Sequence, residues 1–281
     1  MKGTVFYKMT GSGNDFVVLD GRGNDPADWS TARITALCDR RDGVGADGLV
    51  ILTPEGSGPL PGRVRMTFFN CDGSPAAMCG NAALCSTTLS RHLGLAPGGE
   101  LELVTPAGTF RTRCVGDGTG QAELNLPGFD RPREVPSINR RPGEEAIYFS
   151  TVGVPHLVVL VRDLETLDLE GRGRELRRHP ALAPAGANVN FIAPSARPPA
   201  GSWVIRTYER GVEGETLACG TGAAAAGATL QLLGRAESPV VFSTRSGRFL
   251  EVRTVWSRER VNDVWLKGEG RLVFEGQLPG E

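Results

Sequence analysis

The chain has 281 residues, 40% of them hydrophobic, and sets 31 Lys and Arg against 32 Asp and Glu for a formal charge of -1. Such a length holds material for two hydrophobic cores, and a charge this close to zero excludes the chain-wide basic field on which nucleic-acid binding draws. No apolar run reaches the ~20 residues that cross a bilayer, and residues 1–7 lack a secretory leader's apolar stretch. The six cysteines therefore point to reduced thiols in the cytoplasm, not to a disulfide scaffold.

In chain order, apolar patterning predicts strands over 5–8 and 16–20, a helix over 30–38, glycine-marked turns, and a strand over 63–69 broken by Asn70-Cys71-Asp72-Gly73. A helix opens at Cys79 and ends near Gly94. Strands over 101–105 and 109–114 form a hairpin across Ala107-Gly108, and another strand follows over 121–126, with a boundary at Pro127. The second half repeats the plan, with strands over 147–152, 156–161, 189–192 and 203–209 before a second helix opening at Cys219. The basic run over 172–178 and the stretches 127–143 and 194–201 read as loops. Ala223 to Ala228 carry small side chains that let a helix lie close to surrounding strands.

The repetition extends to particular residues. Ala77-Met78-Cys79-Gly80-Asn81 returns as Leu217-Ala218-Cys219-Gly220-Thr221, 140 positions later. Thr105 to Phe110 returns as Thr244 to Phe249 at an offset of 139, and Phe16-Val17-Val18-Leu19 as Leu157-Val158-Val159-Leu160 at 141. Three matches in one order at a near-constant offset imply duplicated halves, each a mixed α/β domain with a central helix wrapped by sheet.

A thiol at a helix start lies where unpaired N–H groups and the helix dipole favour negative charge, and the same backbone forms an anion site. Two such thiols suggest a paired acid and base. The glycines at 211, 214, 220 and 222 allow close backbone approach to a small polar ligand. With three histidines and no Cys-x-x-Cys or histidine cluster, no metal site is expected. Only Lys2, Lys8 and Lys267 are available as amines, and none has a setting suited to a Schiff base.

Five segments make the chain resemble the diaminopimelate epimerase family, the cofactor-independent two-cysteine epimerases and racemases. They are Lys8 to Phe16, Asn70 to Ser74, Met78 to Asn81, Ala187 to Phe191, and Glu209 to Gly222. The resemblance implies two pseudo-symmetric α/β domains, 1–125 with 269–281 returning to it and 126–268, each with a central helix in a barrel-like sheet, and a homodimer. It implies an amino-acid substrate, LL-2,6-diaminopimelate converted to the meso form, with no cofactor. Cys79 and Cys219 would be the catalytic bases. The backbone at Gly80, Asn81, Gly220 and Thr221 would hold the reacting carboxylate. Asn14, Asn70, Asn188, Glu209 and Arg210 would bind the remainder of the substrate, with His156 as an auxiliary beside the site. The chain departs from the family's usual pattern at Val154, where asparagine is usual, and at Gly48, where glutamine is common. Ala82, Leu84 and Pro75 depart too. These changes leave open a racemase or epimerase for histidine, glutamate or hydroxyproline, and a duplicated amino-acid-binding protein without catalysis stands as the other class.

Overall fold

A computed structural model describes residues 3–56, 62–96, 98–116, 120–258 and 260–279. Met1 and Lys2, the latter one of the three lysines weighed as amines, lie outside them. The chain divides into two compact units, Met1–Leu124 with Lys267–Glu281, and Asn125–Leu266.

The first unit opens with β1 (Val5–Gly11), which turns through Ser12 and Gly13 into β2 (Asn14–Asp20). Helix α1 (Thr31–Cys38) follows, capped by the Ser30 side chain, which accepts from the Arg33 N–H. It leads to β3 (Gly48–Pro54), which pairs parallel to β2 with Phe16 opposite Gly48. Then come β4 (Gly62–Asn70), the two-residue β5 (Pro75–Ala76), α2 (Gly80–His92), β6 (Glu100–Thr105), β7 (Gly108–Cys114) and β8 (Gly120–Asn125). β3 pairs antiparallel to β4, β4 parallel to β6, and β6 and β7 antiparallel to their successors. The last strand of the chain, Arg260–Gln277, pairs with both β1 and β8 and closes the sheet into a barrel.

Period-two alternation explains why β2 and β3 are buried on both faces. Val17, Leu19, Leu49 and Ile51 form one core with Trp29, Ile34 and Leu37, under α1. The alternate residues Phe16, Val18, Val50 and Leu52, equally buried, face the interior, where α2 touches β1, β2, β3, β4, β6 and β7. A helix enclosed this way must satisfy its own hydroxyls, and three of its four are bonded, the buried Ser90 Oγ being the exception. Ser86 and Thr87 donate to the carbonyls of Ala82 and Ala83, and Thr88 donates to that of Gly270.

The second unit repeats this order. β9 (Arg133–Glu134) pairs with β10 (Glu144–Val152), which turns into β11 (Val154–Val161). Helix α3 (Leu169–Arg177) leads to β12 (Asn188–Pro194), parallel to β11 with Leu157 opposite Val189. β13 (Trp203–Glu209), β14 (Gly214–Thr216), α4 (Gly220–Leu232), β15 (Val240–Ser243) and β16 (Phe249–Ser257) follow, and the chain enters β17 (Arg260–Gln277). α4 is wrapped by β10, β11, β12 and β16. Its small residues permit this, since a Cβ on Gly227 would lie 3.0 Å from Val252 Cγ1.

The run over 172–178, expected as a solvated loop, lies in helix α3 up to Arg177, with Arg178 as its C-cap. Arg172 is buried with Glu144, to which it donates through Nε at 2.8 Å, and it also donates to Glu175 and to the carbonyl of Asn139. Asp168 caps the helix by accepting from the Gly171 N–H. A composition rule reads arginines as exposed, whereas a buried carboxylate partner 28 positions upstream places one in the core. The stretch 127–143 is likewise not all loop, because it supplies β9 and the buried Val135 and Ile138.

Candidate active site

Both repeated cysteines stand at helix N-caps. Cys79 has φ −142° and ψ 121° before α2, and Cys219 has φ −129° and ψ 105° before α4. Neither side chain is used as a cap. Each carbonyl accepts the first helical bond, from Ala83 and Ala223 respectively. The preceding N–H groups, Gly80 and Asn81 in one case and Gly220 and Thr221 in the other, belong to the helix's opening turn and have no intrahelical acceptor. Each helix start therefore pairs a thiol with backbone donors suited to a carboxylate. The Cys219 Sγ lies 3.7 Å from the Thr221 hydroxyl.

In the first unit, Asn81 Nδ2 donates to Asn14 Oδ1 at 2.7 Å, so the β1–β2 turn is tied to the opening turn of α2 beside Cys79. Asn14 Nδ2 donates to Asp47 Oδ2 at 2.8 Å. Asp47 belongs to an ionic chain that sequence reasoning missed. Arg40 Nη2 donates to Asp47 and to Asp15 at 2.6 Å each, and Lys8 Nζ donates to Asp15 at 2.6 Å. Burial works to raise the Asp15 carboxyl, but the bonds from Arg40 and Lys8 outweigh it and hold the group below the usual carboxylate range. Asn70 ends β4 opposite Gly48, with its Nδ2 donating to Ser74 Oγ at 3.0 Å. The next residue, Cys71, donates its N–H to the carbonyl of Asp47. Gly48 lies against the ring of Phe68 and the carbonyl of Phe69, leaving no room for a Cβ, so glutamine here would require Phe68 to move.

In the second unit, Asn188 Oδ1 accepts the Arg210 N–H at 2.8 Å, and the Arg210 guanidinium reaches the carbonyl of Ala185. Glu209, at the end of β13, is half-buried, and that burial raises its carboxyl above the usual range. His156 sits opposite Asn188 in the parallel β11–β12 register and is fully buried. Burial, and secondly the Arg210 charge, push its imidazole down to about 3, so it is neutral. Its Nδ1 lies 3.3 Å from Asn190 Nδ2, which also donates to the Leu157 carbonyl, while Asn190 Oδ1 accepts from Thr207. With Asn190 donating, Nδ1 is the acceptor and Nε2 carries the proton. Any Cβ on Gly222 would collide with Asn190 Oδ1 and approach Cys219 Sγ to 3.2 Å, so glycine is required where the helix start meets this network. Val154 begins β11 as an apolar, partly buried residue.

The structure thus gathers Cys79, Gly80, Asn81 and Asn14 at one helix start, with Asn70 at the adjoining strand end. It gathers Gly220 and Thr221 with Cys219 at the other helix start, and it links His156, Asn188, Glu209 and Arg210 through neighbouring strand ends. Asp47, Arg40 and Asn190 were overlooked. The signal for Asp47 lay in the repeat, because the matched pairings of Phe16 with Gly48 and of Leu157 with Val189 put Asp47 where the other unit has Asn188. Burial pushes the Cys38 thiol up to about 11 and raises those of Cys85 and Cys114, which suits packed, protonated thiols.

A family model described as diaminopimelate epimerase matches residues 6–125 and 148–262. A diaminopimelate epimerase of Gemmatimonas aurantiaca is 43% identical over 285 residues, covering 98% of this chain and 99% of the relative. Another from Hydrogenobaculum sp. is 37% identical over 288 residues, covering 99% of each. Among solved structures, a phenazine biosynthesis protein of the PhzF family from Bacillus anthracis superposes with a TM-score of 0.70 at 14% identity, covering 99% of this chain and 100% of that one, which shows a shared fold.

Proposed function

Because the chain belongs to the diaminopimelate epimerase family, we propose that it interconverts LL- and meso-2,6-diaminopimelate, without a cofactor, in lysine and peptidoglycan precursor biosynthesis. The observation that carries the reading is the duplicated N-cap cysteine, whose side chain is left out of capping in both units. One thiolate removes the α-proton, and the electron pair of the C–H bond remains on carbon. The other thiol returns its proton to the opposite face, so the net change in the enzyme is one proton moved from one sulfur to the other, and the reverse reaction exchanges the roles of Cys79 and Cys219. The N–H groups of Gly80, Asn81, Gly220 and Thr221 hold the α-carboxylate and stabilise the charge that develops beside it. Arg210 suits the distal carboxylate and Glu209 an ammonium, with Asn14, Asn70 and Asn188 supplying the remaining hydrogen bonds. His156, neutral and buried, serves as an auxiliary. A homodimer acting in the cytoplasm completes the reading and is supported by the family resemblance. Val154 and Gly48 favour one competing reading, a racemase or epimerase of another amino acid by the same chemistry, because both subtract polar capacity.

The test is α-hydrogen exchange in deuterated water, followed for LL- and meso-diaminopimelate beside glutamate, histidine, lysine and hydroxyproline. Diaminopimelate should give the highest kcat/KM. Cys79→Ser and Cys219→Ser should each lower turnover by roughly a hundredfold or more while the fold is kept. Full activity in either single variant rejects the two-base assignment, and faster turnover of another amino acid rejects the substrate.

A further inference from the structure

Asn14 and Asn81 each carry a carboxamide with one accepting and two donating valences, and which end faces which partner decides what a ligand meets. A carboxylate beside them removes the ambiguity, because it can only accept. Asp47 Oδ2 takes the Asn14 Nδ2 at 2.8 Å and the Asp15 N–H at 3.2 Å, and its Oδ1 takes Arg40 Nη2 at 2.6 Å. With its nitrogen committed to Asp47, Asn14 must turn its oxygen toward Asn81. Asn81 must then answer with Nδ2, as it does at 2.7 Å. The Asn81 oxygen is left buried and without a hydrogen-bond partner, one residue beyond Gly80 at the opening of α2. Reversing any one of these amides would set donor against donor or acceptor against acceptor.

The second unit offers a parallel to this position. Asp47 and Asn188 occupy matched places at the head of the parallel strands β3 and β12, and each accepts from the N–H of the residue that follows β4 or β13, Asp47 through its main chain and Asn188 through its side chain. The Asp47 carbonyl accepts from Cys71 N–H, and Asn188 Oδ1 accepts from Arg210 N–H. Where one unit presents a carboxamide, the other presents a carboxylate, itself held by an arginine.

We propose that Asp47, fixed by Arg40, is a positioning residue that sets the carboxamide orientation of Asn14 and, through it, of Asn81 at the helix start bearing Cys79. The proposal rests on the functional reading above for its kinetic consequence, but not for its geometry. Asp47→Asn retains the shape while offering a donor as readily as an acceptor, so both amide orientations become open.

The experiment combines kinetics with side-chain amide spectroscopy. In 15N-labelled wild-type protein, the Asn14 NH2 signal, assigned by its loss in Asn14→Ala, should show slow exchange and the downfield shift of a bond to a carboxylate. In Asp47→Asn that signature should be lost, and kcat/KM for α-hydrogen exchange should fall roughly tenfold, the loss of one charge-assisted hydrogen bond. In a double-mutant cycle, Asp47→Asn should add little to Asn14→Ala, because the first acts through the second. A purely structural role gives additive losses. Additive losses, unchanged kcat/KM in Asp47→Asn, or an Asn14 amide that exchanges freely in the wild type each overturn the proposal. If Asp47→Asn does not fold, the wild-type amide signal still decides. If the wild type exchanges no α-hydrogen at all, the functional reading fails, and the amide signal then judges the orientation by itself.

Discussion

At the scale of single residues, the full burial of His156 removes its imidazole from water, and the effect has a sign. Folded, it titrates near about 3, against 6.5 when exposed. Between those values the unfolded chain binds a proton that the folded chain refuses, so the stability present above the ordinary value is lost as pH falls. From about pH 7.5 to about pH 5.5 the loss should be about 1.4 kcal/mol in excess of a His156→Gln variant, read by urea denaturation of both proteins. The difference between the two proteins isolates the histidine from other groups. Glu209, raised by burial, acts oppositely, stabilising the fold at low pH and losing that contribution as pH rises. Asp15, held low by Arg40 and Lys8, loses its contribution only below the ordinary carboxylate range. Equal slopes for wild type and His156→Gln would mean that the imidazole is solvated in the folded protein. The sequence placed His156 at the start of an apolar strand beside Pro155 but could not supply Asn190 and Thr207, which lie in β12 and β13 and reach it only through strand pairing.

At the scale of elements, α3 shows how a buried ion pair fixes a helix that composition hides. The side chains of Arg172 and Glu144 are 3% and 2% exposed, and Glu144 accepts from both Nε and Nη2 of the guanidinium. Removing one partner strands the other charge in the core. Arg172→Met should therefore destabilise the protein by about 3–5 kcal/mol, and adding Glu144→Leu should recover most of that, because an apolar pair of similar volume forgoes the desolvation cost. Urea unfolding of the two variants checks this, and a single variant within ~1 kcal/mol of wild type would show that water reaches Glu144. The other elements were legible where a period or a cap declared them. Ser30 announces α1, Cys79 and Cys219 open their helices, and Gly94, with φ of 72°, ends the first of these two. β3 escaped notice because Gly48 to Leu52 is buried on both faces and so lacks an alternating signature.

At the scale of the whole chain, the near-constant offset between repeats made the duplication readable, because the same order of hairpin, helix, parallel strand and central helix recurs in both units. The offset does not reveal how the final residues are used. β17 belongs to the second unit through Leu266 and to the first from Lys267 onward, and in its later half Gln277 pairs with Val5 and Arg271 with Thr10. Gly270 further accepts the Thr88 hydroxyl of α2, and Leu278 donates to Thr4. The barrel of the first unit is thus closed by residues more than 260 positions from the strand they pair with, a long-range pairing formed only after large loop-closure entropy is met. A chain stopped after Leu266 keeps every residue of the second unit but leaves β1 with an open edge and Thr88 without its acceptor. Amide hydrogen exchange should then show protection falling by roughly a hundredfold or more in β1 and α2, while β11, β12 and α4 retain theirs. Undiminished protection of α2 in the shortened chain would mean that the first unit holds its helix without the closing strand.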